Sequence, residues 1–280
     1  MRAHRPLRPP GIRLAALAVA ACTGMSVLTG CASARAGGIA GANVDRGGTF
    51  FGAPTGIGDG TARAYVTLDA DGRPTDAGIR MTAAALDGLP DAPMNEFPLA
   101  LPAQGASTIF EAVVVDWNPH GHGPAALFGK PHFDMHFYLI DEAARAEITP
   151  ARMDFIPRAS NLPPVQKMPA GYSPPAGPAV LNTATGMGVH WTNDADHMVP
   201  GEYDFTETFL AGSWDGAYTF MEPMMTRAWL MTKPTVHKKI SQPESYPKPG
   251  RYPTAYSVTY DDATAEYVID LGEMAARPGP

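Results

Sequence analysis

Apolar and polar positions alternate with a period of two along much of this chain, and the segments that carry the alternation are short. Strands are expected at residues 64–68, 109–117, 132–140, 203–210, 217–221, 255–260 and 266–271. Each is rich in β-branched or aromatic side chains, and turn-forming residues bound it. Asp71-Gly72 and Asp215-Gly216 supply tight-turn signals next to two of them. A further short strand is expected at 187–191, and short helices near 81–86 and 141–148. The pattern predicts a mainly β fold with a few short helices, a β-sandwich or barrel-like body.

Composition adds turns and boundaries to this picture. The chain holds 29 Gly and 29 Pro, spread along its length and not repeated, which reads as many turns and long loops. A Pro-rich loop at 157–181 is expected to separate two halves. Asp116-Trp117-Asn118 followed by Phe133-Asp134 is faintly echoed by His190-Trp191-Thr192 followed by Tyr203-Asp204. The echo leaves open an origin from two related β modules.

The first residues bear on location. Arg2, Arg5, Arg8 and Arg13 precede an apolar run at 14–28 that ends in Leu28-Thr29-Gly30-Cys31. This is the arrangement of a lipoprotein signal, in which Cys31 is lipidated and becomes the first mature residue. The alternative is a plain signal peptide cut within 32–36. The expected organisation is a signal at 1–30, a small-residue tether at 31–48, a β-rich domain at 49–272 and a tail at 273–280. Loss of Cys22 with the signal leaves one cysteine, so neither a disulfide framework nor a Cys-rich zinc site is available. The expected setting is the bacterial cell envelope, with the N-terminal lipid holding the domain at a membrane.

Removing the leader leaves 17 of the 21 basic residues against all 28 acidic ones. An acidic body without clustered Lys or Arg argues against nucleic-acid binding. A homo-oligomer is compatible with the pattern, and no protein partner is specified by it.

The chemistry is concentrated in histidine. Six of the eight histidines fall between His120 and His197, four of them within 17 residues. Imidazole is the commonest side-chain metal ligand, so this surplus with interleaved carboxylates points to a metal site. Read as a strand, residues 132–138 place His132, Asp134, His136 and Tyr138 on one face and Phe133, Met135 and Phe137 on the other. The expected ligands are His122, His132, His136 and His190 around one divalent transition metal, Zn first, with Cu, Fe or Mn also suited. His120, Asp134, His197 and Glu222 are additional or supporting candidates. His237, among Lys233, Lys238 and Lys239, reads as solvated surface.

The strings V-V-V-D-W-N-P-H-G-H-G-P, P-H-F-D-M-H-F-Y-L-I, M-G-V-H-W and F-L-A-G-S-W-D-G-A-Y-T-F-M-E-P-M-M-T resemble a bacterial family of exported domains of unknown function. That family is typified by a Thermus protein under the control of an extracytoplasmic sigma factor and its anti-sigma partner. The similarity runs from about Gly48 to Leu271. It implies a mostly β domain with an uncharacterised role, in the setting of envelope stress. Glutamine is usual there at the position of His120, and the stretch around His197 matches poorly. The resemblance therefore favours His122, His132, His136 and His190.

Three functions fit these residues. One is a non-catalytic metal-binding protein of the envelope with a closed shell of imidazoles. A second is a metal-dependent enzyme of cupin-like type with an open coordination position. The third is copper handling, suggested by Met221, Met224, Met225 and Met231. Other enzyme classes lack their motifs. Gly212-Ser213-Trp214 is not a nucleophile elbow, Gly56-Ile57-Gly58-Asp59-Gly60 is not a dinucleotide fingerprint, and Gly129-Lys130 has no phosphate-loop spacing.

Overall fold

The computed structural model describes residues 46–280. The expected signal, Cys22, Cys31 and all but the end of the 31–48 tether lie outside the described residues. Strands β1 (Gly48–Phe51), β2 (Thr55–Ile57), β3 (Gly60–Leu68) and β4 (Pro74–Thr82) come first, then β5 (Asn95–Leu99) and β6 (Ala112–Asn118). Helix α1 (Ala125–Phe128) leads into β7 (His132–Tyr138). Helices α2 (Glu142–Ala146) and α3 (Phe155–Ser160) precede β8 (Tyr172–Ser173), β9 (Thr183–Ala184) and β10 (Gly188–Asn193). The hairpin of β11 (Glu207–Trp214) and β12 (Ala217–Thr226) is followed by α4 (Arg227–Leu230), β13 (Val236–Lys239) and β14 (Gly250–Tyr252). Strands β15 (Ala255–Asp261), β16 (Glu266–Gly272) and β17 (Ala275–Arg277) complete the chain.

Two large antiparallel sheets form a β-sandwich, and neither closes into a barrel. Sheet I runs β1-β3-β4-β16-β15-β13 with β2 also on β3; sheet II runs β5-β6-β7-β12-β11-β10-β8 with β9 also on β10. One apolar core fills the space between them. Ala64, Val66, Ile79, Met81, Val258 and Ile269 come from sheet I, and Val113, Val115, Trp117, Phe133, Met135 and Phe137 from sheet II. The period-two pattern thus places alternate residues in the core, as each strand's pleat requires.

Several elements differ from the sequence expectation. Strand β4 was not expected, because Pro74, Asp76 and Gly78 are poor strand formers; pairing on both sides by β3 and β16 overrides that preference. Met81 and Thr82 belong to β4, so the expected helix shrinks to a 3-10 turn over Ala83–Leu86. The strand expected at 217–221 continues through Pro223 to Thr226. The one expected at 203–210 begins only at Glu207, which frees Tyr203 and Phe205 to fold over the outer face of sheet II. Within the Pro-rich segment, Tyr172 and Ser173 pair with β10, extending sheet II. The 273–280 segment contains β17, paired with β14. Among the described residues no helix is long and apolar enough to cross a membrane.

Candidate metal centre

Strand β7 lies inside sheet II between β6 and β12. Its alternation sends Phe133, Met135 and Phe137 into the core and His132, Asp134, His136 and Tyr138 to the outer face, where all four are buried. Antiparallel register then sets the neighbours. On β6, Asn118 stands opposite His132, Asp116 opposite Asp134 and Val114 opposite His136. On β12, Thr226 pairs with His132 and Met224 with Asp134, and pairing resumes at Met221–Phe137. The interruption falls at Pro223, which has no N–H to give to the ladder. Glu222 occupies that gap and faces His136.

His190 reaches the same face from β10. It stands opposite Gly212 on β11, which stands opposite Phe220 on β12. A Cβ at Gly212 would lie 1.9 Å from the Phe220 ring, so only glycine lets that ring lie across β11. Phe220 then supports both imidazoles edge-on, 5.0 Å from His136 and 4.9 Å from His190 between ring centres.

These residues gather into two sets of three, not one shell of four imidazoles. His122, His132 and Asp134 bring their ligand atoms within 4.8 Å of one another, and so do His136, His190 and Glu222. In the first set, His122 Nε2 is 3.3 Å from Asp134 Oδ2 and His132 Nε2 is 3.1 Å from Asp134 Oδ1. In the second, His136 Nε2 and His190 Nε2 each lie 3.5 Å from a different oxygen of Glu222.

Supporting contacts orient the ligands. His132 Nδ1 donates to the Lys130 carbonyl at 2.6 Å and His122 Nδ1 to the Gly123 carbonyl at 3.0 Å. A carbonyl can only accept, so both rings carry the Nδ1 proton and present Nε2 to Asp134. Asn118 Nδ2 donates to Asp134 Oδ2 at 2.8 Å. Asp116 Oδ2 approaches His136 Nδ1 to 2.9 Å.

Satisfaction is incomplete in a telling way. His132 Nε2, Asp134 Oδ1, His136 Nε2 and Glu222 Oε2 are buried and have no hydrogen-bond partner. A buried polar atom left unpaired costs about 1–3 kcal/mol, and native folds seldom tolerate several together. Bound cations would satisfy these atoms.

The electrostatics fit the same arrangement. Burial alone would lower the His122 pKa, but the contact with Asp134 lifts it to about 9. Burial is likewise outweighed at His136, where Glu222 and then Asp116 raise the pKa to about 9. Burial raises Glu222 to about 8 against the pull of His136. Asp134 is held below its ordinary value because His122 and His132 outweigh its desolvation. Burial and then the neighbouring His136 push His190 down to about 3, leaving it neutral. In the metal-free protein, protons on His122 and His136 therefore stand where a cation would bind.

The remaining candidates lie elsewhere. His120 is exposed and 3.2 Å from exposed Asp91, and His197 occupies an exposed left-handed position closing a 3-10 turn. His237 pairs with Glu273 on the surface. The four methionines do not converge. Met221 and Met225 face the central core, Met224 packs with Phe128, Phe205 and Leu210 over the outer face, and Met231 is exposed. Sequence reasoning did not single out Asp116, Asn118 or Tyr138 as site residues. The signal for the first two was polar side chains at alternate positions ending an otherwise apolar strand.

A family model described as TTHB210-like, hypothetical protein TTHB210, matches residues 69–117. This supports the resemblance to a family of hypothetical proteins over that stretch, which includes Asp116 but none of the clustered imidazoles. No curated protein and no solved structure matches the chain.

Proposed function

We propose that the protein is a divalent transition-metal-binding domain of the cell envelope, with its site on the outer face of sheet II. The observation that carries this reading is the set of buried, unpartnered ligand atoms on His132, Asp134, His136 and Glu222. Imidazole mixed with carboxylate suits Zn first, and also Fe, Mn or Cu. The envelope setting rests on the arginine-rich start, the apolar run and Leu28-Thr29-Gly30-Cys31.

Of the three functions compatible with the sequence, an open coordination position is favoured over a closed tetrahedron. Each set offers three protein ligands, the number that leaves a place for water or a small ligand. His122 and His190 are the partly exposed members, with 38% and 23% of their side chains accessible, and they mark the side on which that place meets solvent. Copper handling loses its support where the methionines pack as core.

Metal content of the purified protein, prepared without chelator, tests the reading. The wild type is expected to carry metal. A His132→Ala/His136→Ala double variant is expected to lose it and to melt lower. Equal metal in both would end the proposal.

A further inference from the structure

We propose that sheet II holds two cations per chain, one in each set of three ligands, as a two-metal centre. The inference rests on the metal-binding reading above and goes beyond it in number, geometry and residue assignment.

The ligands partition without overlap. His122, His132 and Asp134 form one set and His136, His190 and Glu222 the other, and no residue belongs to both. Within each set the imidazoles converge on their own carboxylate, at 3.1 and 3.3 Å in the first and 3.5 Å twice in the second. A cation with bonds of about 2.1 Å can join donor atoms up to about 4 Å apart, which covers the imidazole–carboxylate distances within each set. Between sets the scale is larger. The ligand atoms fall into two separate groups, with Asp134 in one and His136, two residues further along β7, in the other. One cation cannot take both.

Both sets also contain the feature that argues for any cation at all. His132 Nε2 and Asp134 Oδ1 are unpartnered in the first, and His136 Nε2 and Glu222 Oε2 in the second. A single cation would leave one pair of buried ligand atoms unsatisfied. The face carries three buried carboxylates, Asp116, Asp134 and Glu222. Two dications suit that charge, with Asp116 beside His136 as a supporting group and not a ligand of either set. Half-buried His122 and His190 give each position its own contact with solvent, so neither must fill through the other.

The test is a titration of the metal-free full-length chain with Zn(II), followed by calorimetry. Two equivalents are expected for the wild type. A His190→Ala/Glu222→Gln variant and a His122→Ala/Asp134→Asn variant, each checked for its β circular dichroism, should each bind one. One equivalent in the wild type, or loss of all binding in either folded variant, would overturn the two-cation inference while leaving a single metal site standing. No binding in the wild type would remove both. If a variant fails to fold, the wild type loaded with two equivalents of Cu(II) decides. Electron paramagnetic resonance should then show dipolar splitting and a half-field signal, and two isolated Cu(II) spectra would overturn the proposal.

Discussion

The outer faces of the two sheets bury polar groups in opposite ways. On sheet I the charges satisfy one another. Arg63 bonds Glu266 at 3.0 Å, Arg80 bonds the other oxygen of Glu266 at 2.9 Å and reaches Asp261 at 3.3 Å, and Tyr65 donates to Asp270 at 2.5 Å. On sheet II the buried imidazoles and carboxylates leave ligand atoms unpaired. Both faces use a glycine to let an aromatic ring lie across a strand. Tyr65 crosses Gly78, where a Cβ would meet its hydroxyl at 2.6 Å, and ends in a hydrogen bond; Phe220 crosses Gly212 and ends beneath two imidazoles. Self-satisfied polar groups hold a fold together, whereas buried groups of ligand type left open call for something from outside.

The largest effect that could break this contrast is the pH dependence of metal affinity. His122 and His136, both raised to about 9, are protonated at neutral pH in the metal-free protein, and the cation must displace those protons. Zn(II) affinity is therefore expected to climb from pH 6.5 towards pH 9, about tenfold per pH unit for each proton displaced, and to flatten above 9. A pH-independent binding constant from calorimetry would place the ligands elsewhere.

Stability should respond on one face only. Zn(II) at about a hundred times its Kd is expected to stabilise the wild type by about 2.7 kcal/mol for each site filled, and an Asp134→Asn/Glu222→Gln variant by nothing, in denaturant melts with and without metal. Without metal, Glu222→Gln should cost about 1–3 kcal/mol at pH 8, because protonated His136 loses its buried countercharge and the amide keeps a polar group where the carboxyl was. A gain in stability would mean that Glu222 and His136 are not paired in the metal-free protein.

On sheet I the sign follows from Asp270. Burial, with Asp76 adding to it and Tyr65 opposing, raises its pKa from 3.8 to about 6. The folded state thus prefers the protonated acid, and this contribution is present below pH 4 and lost as pH rises to about 6. Asp270→Asn should flatten stability between those pH values by roughly 1–3 kcal/mol, with or without metal. The smallest effect is expected for Glu266→Gln. Loss of charge pairing with two partly exposed arginines should cost about 0.5–1 kcal/mol by chemical denaturation, and metal should not alter it.

Much of the sheet II face was legible because β7 obeys its own pattern. His132, Asp134 and His136 lie together as alternation requires, and the sandwich follows from the same periodicity. What stayed hidden depends on pairing between distant segments. Nothing local tells that Glu222 will lie beside His136, since Pro223 argues against a continuous strand there. The division into two ligand sets depends on which strand each imidazole reaches across, and sequence spacing alone suggested one shell. His120 shares an alternating pattern with His122, yet after Asn118 the chain has left the sheet, so alternation no longer governs where those rings point. The β4 strand was hidden for a related reason: its residues are poor strand formers until β3 and β16 flank them.

The pairing of Thr226 with His132 joins segments far apart in the chain, and the set of His136, His190 and Glu222 spans such distances, whereas His122, His132 and Asp134 lie within 13 residues. At the long-range set a cation therefore finds no complete cradle in a partly formed sheet and is captured after the distant strands have zipped. It acts as a clasp fastened last. Metal should leave the refolding rate nearly untouched and slow the opening of the finished protein instead.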